Sequence, residues 1–224
     1  MHILEAGNFS TSFGLIQSPC KVVAEEFLKW KKEISGDFNL VLDLKEWPSG
    51  FTQALAALCP RTTPVITRFL FWPVNASWTL YFDNSRLGTD AGPPFVLSSR
   101  LSVNAFRVVM VDQCKDPVSK MIKKYGAVIL EYYCSGNRVR HICAANDGGK
   151  WVFSERGQPF LFENTASYTA KRSVDRFTKP MLLGYLKDFG VDLNDISDGP
   201  GFLVINNGKR PWNFEEYDEE GNII

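Results

Sequence analysis

The chain has little of several features that often reveal a function. Its 224 residues carry 25 basic and 25 acidic side chains, so the formal net charge is zero. Because nucleic-acid binding draws much of its affinity from an excess of Lys and Arg, this balance disfavours a nucleic-acid-binding protein. There are two histidines, His2 and His141. With His2 next to the terminus, His141 is the one interior candidate for a general base near neutral pH.

Long apolar runs and familiar cofactor motifs are also missing from the sequence. No segment reaches the roughly 18 unbroken apolar residues that a membrane-spanning helix needs. The N-terminus has an acid, Glu5, where a secretion signal would have basic residues followed by a long apolar run. The five cysteines include no CxxC pair, which favours reduced thiols and offers no zinc motif. Glycine motifs that bind phosphate are absent. We therefore expect a cytoplasmic protein that binds no cofactor or metal and does not associate with a membrane.

What the chain does contain is enough apolar material for a sizeable core, 45% of all residues. After Ser18 and Pro19, apolar side chains at helical spacing predict an amphipathic helix that ends at Gly36. Residues 65–72 and 77–82 are rich in branched and aromatic side chains and predict a hairpin. Further helices are predicted over 51–58 and 95–101, and further strands over 40–45 and 105–111.

The second half reads as a series of strands and one helix. Strands are predicted over 125–133, 139–145, 150–154 and 160–162, and their short connections indicate an antiparallel meander. A last helix is predicted after Thr178, and residues 201–205 are predicted to add an edge strand. The sequence thus predicts one α+β domain, 1–224, with a mixed, mainly antiparallel sheet packed by about four helices. A candidate sub-boundary near 112–118 separates an α+β half, 1–112, from the meander, C-terminal helix and tail, 119–224.

The strongest catalytic candidates are Cys143 and His141. They lie two residues apart in a predicted strand, so they share a face, and an imidazole beside a thiol can lower the pKa of that thiol. On a flat strand we expect no third residue to orient the imidazole and no oxyanion donors. A small hydrolase is therefore the alternative and not the leading hypothesis. A carboxylate pair in a pocket is the other way to build one, with candidates Asp83, Asp90, Glu131 and Glu163.

Several side chains are candidates for recognition of a partner. Arg172 and Arg176 lie one turn apart if their segment is helical, with Asp175 able to pair with Arg172. The acidic tail around Tyr217 is expected to be a solvated, frayed end or else an acidic hook. Trp72 and other aromatic residues on an exposed sheet face or rim could add a recognition surface. The predicted partner-binding residues are Tyr81, Arg172, Arg176, Trp212, Glu215, Glu216 and Tyr217.

Two stretches resemble a known class of bacterial proteins. They are 77–84 with 87–90, and 149–153 continuing through Phe160 and Tyr168 to 175–177. These resemble single-domain immunity proteins that neutralise toxins of bacterial competition systems. The resemblance implies a cytoplasmic, non-catalytic protein that binds one partner, a cognate toxin, and it transfers no site residues to this chain. Together with the missing catalytic motifs, it makes a protein-binding module that covers a toxin's active site the leading hypothesis.

Overall fold

A nine-stranded antiparallel sheet runs through the chain in a computed structural model that describes residues 11–35, 40–218 and 220–224. The strands are β1 (Ser12–Ile16), β2 (Leu42–Trp47), β3 (Arg61–Thr63), β4 (Arg68–Pro73), β5 (Thr79–Asp83), β6 (Asn104–Val111), β7 (Cys114–Lys115), β8 (Ile122–Lys124), β9 (Ala127–Cys134), β10 (Asn137–Asp147), β11 (Lys150–Arg156), β12 (Gly201–Asn206) and β13 (Glu215–Tyr217). The order in the large sheet is β11-β10-β9-β6-β1-β5-β4-β12-β2, and β3 with β13 and β7 with β8 form two-stranded pairs.

Helices pack on both faces of this sheet. They are α1 (Cys20–Ser35), α2 (Phe51–Ala56), α3 (Gly92–Leu101) and α4 (Lys179–Asp188). On one face, Phe27 of α1 and Leu97 of α3 are fully buried in one apolar cluster. On the other face, Phe51 of α2 and Leu182 of α4 belong to a second, larger cluster. The predicted α+β class, with a mainly antiparallel sheet and about four helices, is confirmed.

Local patterns predicted most elements correctly. The helices α1 to α4, the hairpin of β4 and β5, and the meander of β9, β10 and β11 all form where the sequence predicts them. The proposed ending of α1 at Gly36 lies outside the described residues. Within the part that is described, β1 lies near the middle of the sheet, between β6 and β5. The sheet crosses the candidate sub-boundary at 112–118, because β6 pairs directly with β9.

Three details differ from the sequence-based prediction. Residues 160–162 form a turn, with the amide of Glu163 donating to the carbonyl of Phe160, and not a strand. The strand β12 is interior, between β4 and β2, and β2 forms the sheet edge instead. The segment 165–175, for which the sequence left a helix open, forms two short 3-10 turns. The acidic tail is not frayed at Glu215–Tyr217, because these residues form β13, which pairs with β3.

Candidate functional site: an open basic face of the sheet

The described residues leave one part of the sheet uncovered on the side that carries α1 and α3. Here α3 packs on β6 and on the adjoining ends of β9 and β10, where Phe95 lies edge-on to Tyr133 with ring centroids 5.5 Å apart. Beyond it, Ser154 and Arg156 of β11 are exposed and Ile129 of β9 is half-buried. We call this area the open face; its polar residues are Arg107, Glu131, Arg138, His141, Cys143, Ser154 and Arg156.

The strand register aligns four charged or titratable residues in one row across the open face. Arg107 lies opposite Glu131, Glu131 opposite His141, and His141 opposite Arg156. Directly opposed residues in an antiparallel sheet point to the same face, with Cβ atoms about 5 Å apart. The next row on this face contains Cys143 and its opposed residues, which are Ile129 on β9 and Ser154 on β11. A charged row therefore lies beside a largely uncharged one.

Glu131 is the central acceptor of this arrangement. Its Oε2 accepts hydrogen bonds from Arg107 Nη1 at 3.2 Å and Tyr133 Oη at 3.0 Å. Its Oε1 accepts one from Arg138 Nη1 at 3.2 Å and lies 3.4 Å from His141 Nδ1. The His141 imidazole, together with Tyr133 and Arg107 and against the effect of burial, lowers the pKa of Glu131 to about 2. The carboxylate is therefore ionised throughout the physiological range.

His141 carries a positive charge at neutral pH in this environment. Its Nε2 lies 3.4 Å from Ser154 Oγ. Hydrogen bonding with Cys143, followed by the carboxylate of Glu131, raises the pKa of His141 to about 9, although partial burial acts in the opposite direction.

The charges on the open face do not balance. Arg107, Arg138, Arg156 and the imidazolium of His141 are four positive groups, whereas Glu131 supplies one negative group. The side chain of Arg138 is 54% exposed, and Arg156 is exposed as well. In a chain with zero net charge, this local excess of three positive charges provides a surface for an anionic group.

The catalytic candidates predicted from the sequence belong to this face. Cys143 and His141 share it, as expected from their spacing. The expectation that no third residue would orient the imidazole is wrong, because Glu131 of the neighbouring strand lies 3.4 Å from Nδ1. The cluster thus has the thiol, imidazole and carboxylate of a nucleophilic triad, on a sheet surface that is open to solvent.

Two of the candidate catalytic carboxylates, Asp83 and Glu163, make structural contacts away from the open face. Asp83 is 1% exposed and accepts hydrogen bonds from Tyr81 Oη at 2.7 Å and from the amides of Asp90 and Ser85. Burial raises the pKa of Asp83 to about 6, with its hydrogen bonds acting in the opposite direction. These contacts fix the loop after β5, so Asp83 is a structural group.

Glu163 is the second carboxylate that makes structural contacts. Its side chain is fully buried and binds Arg140 in a bidentate geometry, from Nε at 2.9 Å and Nη2 at 2.7 Å. Tyr168 Oη donates to the same carboxylate at 2.8 Å. The Arg140 guanidinium also contacts Glu155 and the carbonyl of Gly157. This network fastens the segment after β11 to the face of the sheet that carries α4.

Aromatic candidates for partner binding mostly lie in the interior. Tyr81 and Trp72 are fully buried, and Tyr217 is 3% exposed, so the prediction that they lie on a surface is wrong. Helices cover both faces of β4 and β5, which leaves no exposed face for Tyr81 and Trp72. Glu215 is exposed and Glu216 half-buried on β13, where they remain candidates for contact with a partner.

Arg172 and Arg176 lie on the surface and are partly engaged. Arg172 binds Asp175 through Nε at 2.6 Å and Nη2 at 2.7 Å, which is the pairing that the sequence indicates. Arg176 donates to the carbonyl of Ala170 at 2.8 Å and lies over the ring of Phe153. Neither belongs to the open face.

Trp212 is 97% exposed and lies at a cavity of about 840 Å³ between the end of α1 and the segment after β12. Three cationic side chains, Lys31, Lys209 and Arg210, line the same cavity. Arg210 is held by the carbonyls of Gly208 and Asn206, at 3.0 and 2.6 Å. The predicted exposure of Trp212 agrees with the structure, and the cavity gives it a local setting that the sequence did not indicate.

The comparisons with known proteins add no identification: the chain matches no protein-family model, no curated protein and no solved structure. Among the described residues, no group of three or more His, Cys, Asp or Glu side chains is arranged to hold a metal ion. Within that same part of the chain, none of the helices has the length and apolarity required to cross a membrane.

Proposed function

We propose that the chain is a non-catalytic binding protein that recognises an acidic surface of a protein partner through the open face. The observation that carries this proposal is the row of Arg107, Glu131, His141 and Arg156 across four strands, with Arg138 beside it. Its positive groups outnumber its negative ones by three. Carboxylates of a partner can bind Arg138 and Arg156 in the bidentate geometry that guanidinium favours.

Preorganisation supports recognition at this face. Glu131 holds the guanidinium groups of Arg107 and Arg138 from one side, and the strands fix the backbone beneath them. Side chains that are already ordered lose less conformational entropy on binding. The surplus charge also accelerates encounter with an acidic partner, so association should slow as the salt concentration rises.

The class of partner is suggested by the resemblance to immunity proteins. We propose that the partner is a bacterial toxin with an acidic patch at or near its active site, which the open face covers. The half-buried Ile129 and the exposed Val152 supply apolar contacts next to the charged row. A surface that combines fixed charges with apolar area is typical of specific protein interfaces.

The experiment begins with isolation of a stoichiometric partner from the native host, followed by titration calorimetry with purified proteins. We expect the double variant R138E/R156E to bind about 100-fold more weakly than the wild type, a loss of about 2.7 kcal/mol. The matched control is K187E, which reverses a lysine of α4 that is 72% exposed and lies outside the open face. Equal affinity of wild type and R138E/R156E, or no stoichiometric partner at all, would contradict the proposal.

The second candidate function is a hydrolase that uses Cys143 as nucleophile. It is favoured by one observation, the alignment of Cys143, His141 and Glu131 on the open face. In that reaction the thiolate attacks an acyl carbonyl, the imidazolium gives its proton to the leaving group, and water then releases the acyl group. Turnover of activated acyl esters that disappears in C143A and persists in C114A would support this function. Equal rates in both variants would exclude it.

A further inference from the structure

The sheet edge formed by β2 has the properties of an interface with a second copy of the chain. Strand β2 pairs with β12 on one side, from Leu42 with Asn206 to Trp47 with Gly201. Among the described residues, no strand pairs with its other side. An uncapped edge of this kind offers a row of N–H and C=O groups to another strand.

The backbone on this edge has a fixed pattern. The carbonyl of Val41 accepts a hydrogen bond from the amide of Asn207 at 2.7 Å, so Val41 directs its polar groups toward β12. Hydrogen-bonded positions alternate along an antiparallel strand. The N–H and C=O groups of Leu42, Leu44 and Glu46 therefore point outward, to the free edge.

The side chains of β2 then select one register for self-pairing. When Leu44 lies opposite Leu44 of the second copy, Asp43 lies opposite Lys45 on both sides of the two-fold axis, and Val41 lies opposite Trp47. Within one copy, Lys45 Nζ lies 3.9 Å from Asp43 Oδ2, but the two side chains are 57% and 53% exposed. A contact of this kind between exposed charges contributes little stability, so both side chains are accessible for such pairs. Opposite charges across two strands stabilise a pairing.

The two neighbouring registers are disfavoured by the same residues. A shift in one direction places Asp43 opposite Asp43 of the second copy, and a shift in the other places Lys45 opposite Lys45. Like charges directly opposed destabilise a sheet. Of these three registers, the sequence of β2 is complementary to itself only in the one centred on Leu44.

We infer that two copies of the chain associate through β2 in an antiparallel, two-fold arrangement centred on Leu44. Only a short strand contributes from each copy, so the interface is smaller than that of an obligate dimer and the association is concentration-dependent. The edge lies at the opposite end of the sheet from β11 and the open face. Each copy can therefore bind a partner while it is dimerised, and the inference does not depend on the proposed function.

Sedimentation velocity on charge variants tests this inference. Wild type should show a dimer that grows between about 10 μM and about 1 mM. In D43K alone and in K45D alone, like charges face each other, and each should remain monomeric. A mixture of D43K with K45D should form a heterodimer, and the double variant D43K/K45D should form homodimers again, because both combinations restore opposite charges.

The control variant is K150D, which reverses an exposed lysine on β11, the other edge of the sheet, and should dimerise as the wild type does. Because Asp43 and Lys45 are more than half exposed, the substitutions should leave the fold intact, which circular dichroism can verify. A wild type that is monomeric at about 1 mM would overturn the inference. Dimerisation of D43K and K45D to the same extent as the wild type would overturn it equally.

Discussion

His141 Nδ1 lies 3.4 Å from Glu131 Oε1 across the pairing of β9 with β10. The two groups are coupled, since each favours the charged form of the other: the pKa of Glu131 is lowered to about 2 and that of His141 is raised to about 9. The pair fixes the charge of the open face over a wide pH range. Its removal should therefore be visible both in titration and in stability.

Replacement of Glu131 by glutamine should lower the pKa of His141 from about 9 toward its ordinary value of 6.5. The cause is the loss of the carboxylate, which leaves the imidazolium close to Arg107 and Arg138. The same loss should destabilise the fold by about 2 kcal/mol at neutral pH. Proton NMR of the imidazole measures the pKa, with E25Q on the exposed surface of α1 as the control. An unchanged His141 pKa in E131Q would show that the pair is not coupled.

Stability should fall at alkaline pH in a way that depends on His141. Because its folded pKa of about 9 is above 6.5, its contribution is complete below pH 6.5 and is lost as the pH rises through 9. Urea unfolding between pH 6 and pH 10 should therefore show a decline that is smaller in H141Q. Glu131 governs stability at acidic pH. Its contribution is complete above pH 4.5 and is lost as the pH falls through 2. Identical alkaline profiles for wild type and H141Q would refute this account.

Arg140 and Glu163 form a buried pair whose disruption should be costly. The variant R140M leaves a fully buried carboxylate without its guanidinium, so we expect a loss of about 3–5 kcal/mol. The loss of stability in the double variant R140M/E163Q should be smaller than the sum of the losses in R140M and in E163Q, because no uncompensated charge remains. Glu155 is 39% exposed, and E155Q should cost under about 1 kcal/mol. Chemical denaturation measures all four variants, and strict additivity would contradict the proposed pairing.

The fold class was predictable because it rests on local signals. Helical spacing of Val23 and Phe27 and the turn chemistry of the meander each specify an element within a few residues. Strand order was not predictable, since the pairing of β1 with both β5 and β6 joins distant parts of the chain. Exposure was misjudged at Tyr81, whose hydroxyl is satisfied internally by Asp83 at 2.7 Å. A polar side chain on a strand does not indicate exposure to solvent when helices cover both faces of the sheet.

The sequence pointed to Cys143 and His141, but the alignment of His141 with Glu131 was not predictable, for a specific reason. Uninterrupted pairing from the turn after Cys134 would place Arg140 opposite Glu131, and His141 on the other face. A register shift between Arg138 and Arg140 moves His141 opposite Glu131 and turns Arg140 toward Glu163. The chain carries no strong local signal for this bulge, so the alignment of the open face is a property of the folded sheet.

The most direct test of the central claim is the alkylation of Cys143 in the free protein and in the complex with its partner. Cys143 lies on the open face, whereas Cys114 is exposed elsewhere, on β7, and serves as the internal reference. Labelling with iodoacetamide, quantified by mass spectrometry, should slow at least about tenfold at Cys143 on binding, because the partner covers the face. Labelling of Cys114 should not change. Equal labelling of Cys143 in the free and bound states would show that the partner binds elsewhere and would contradict the account.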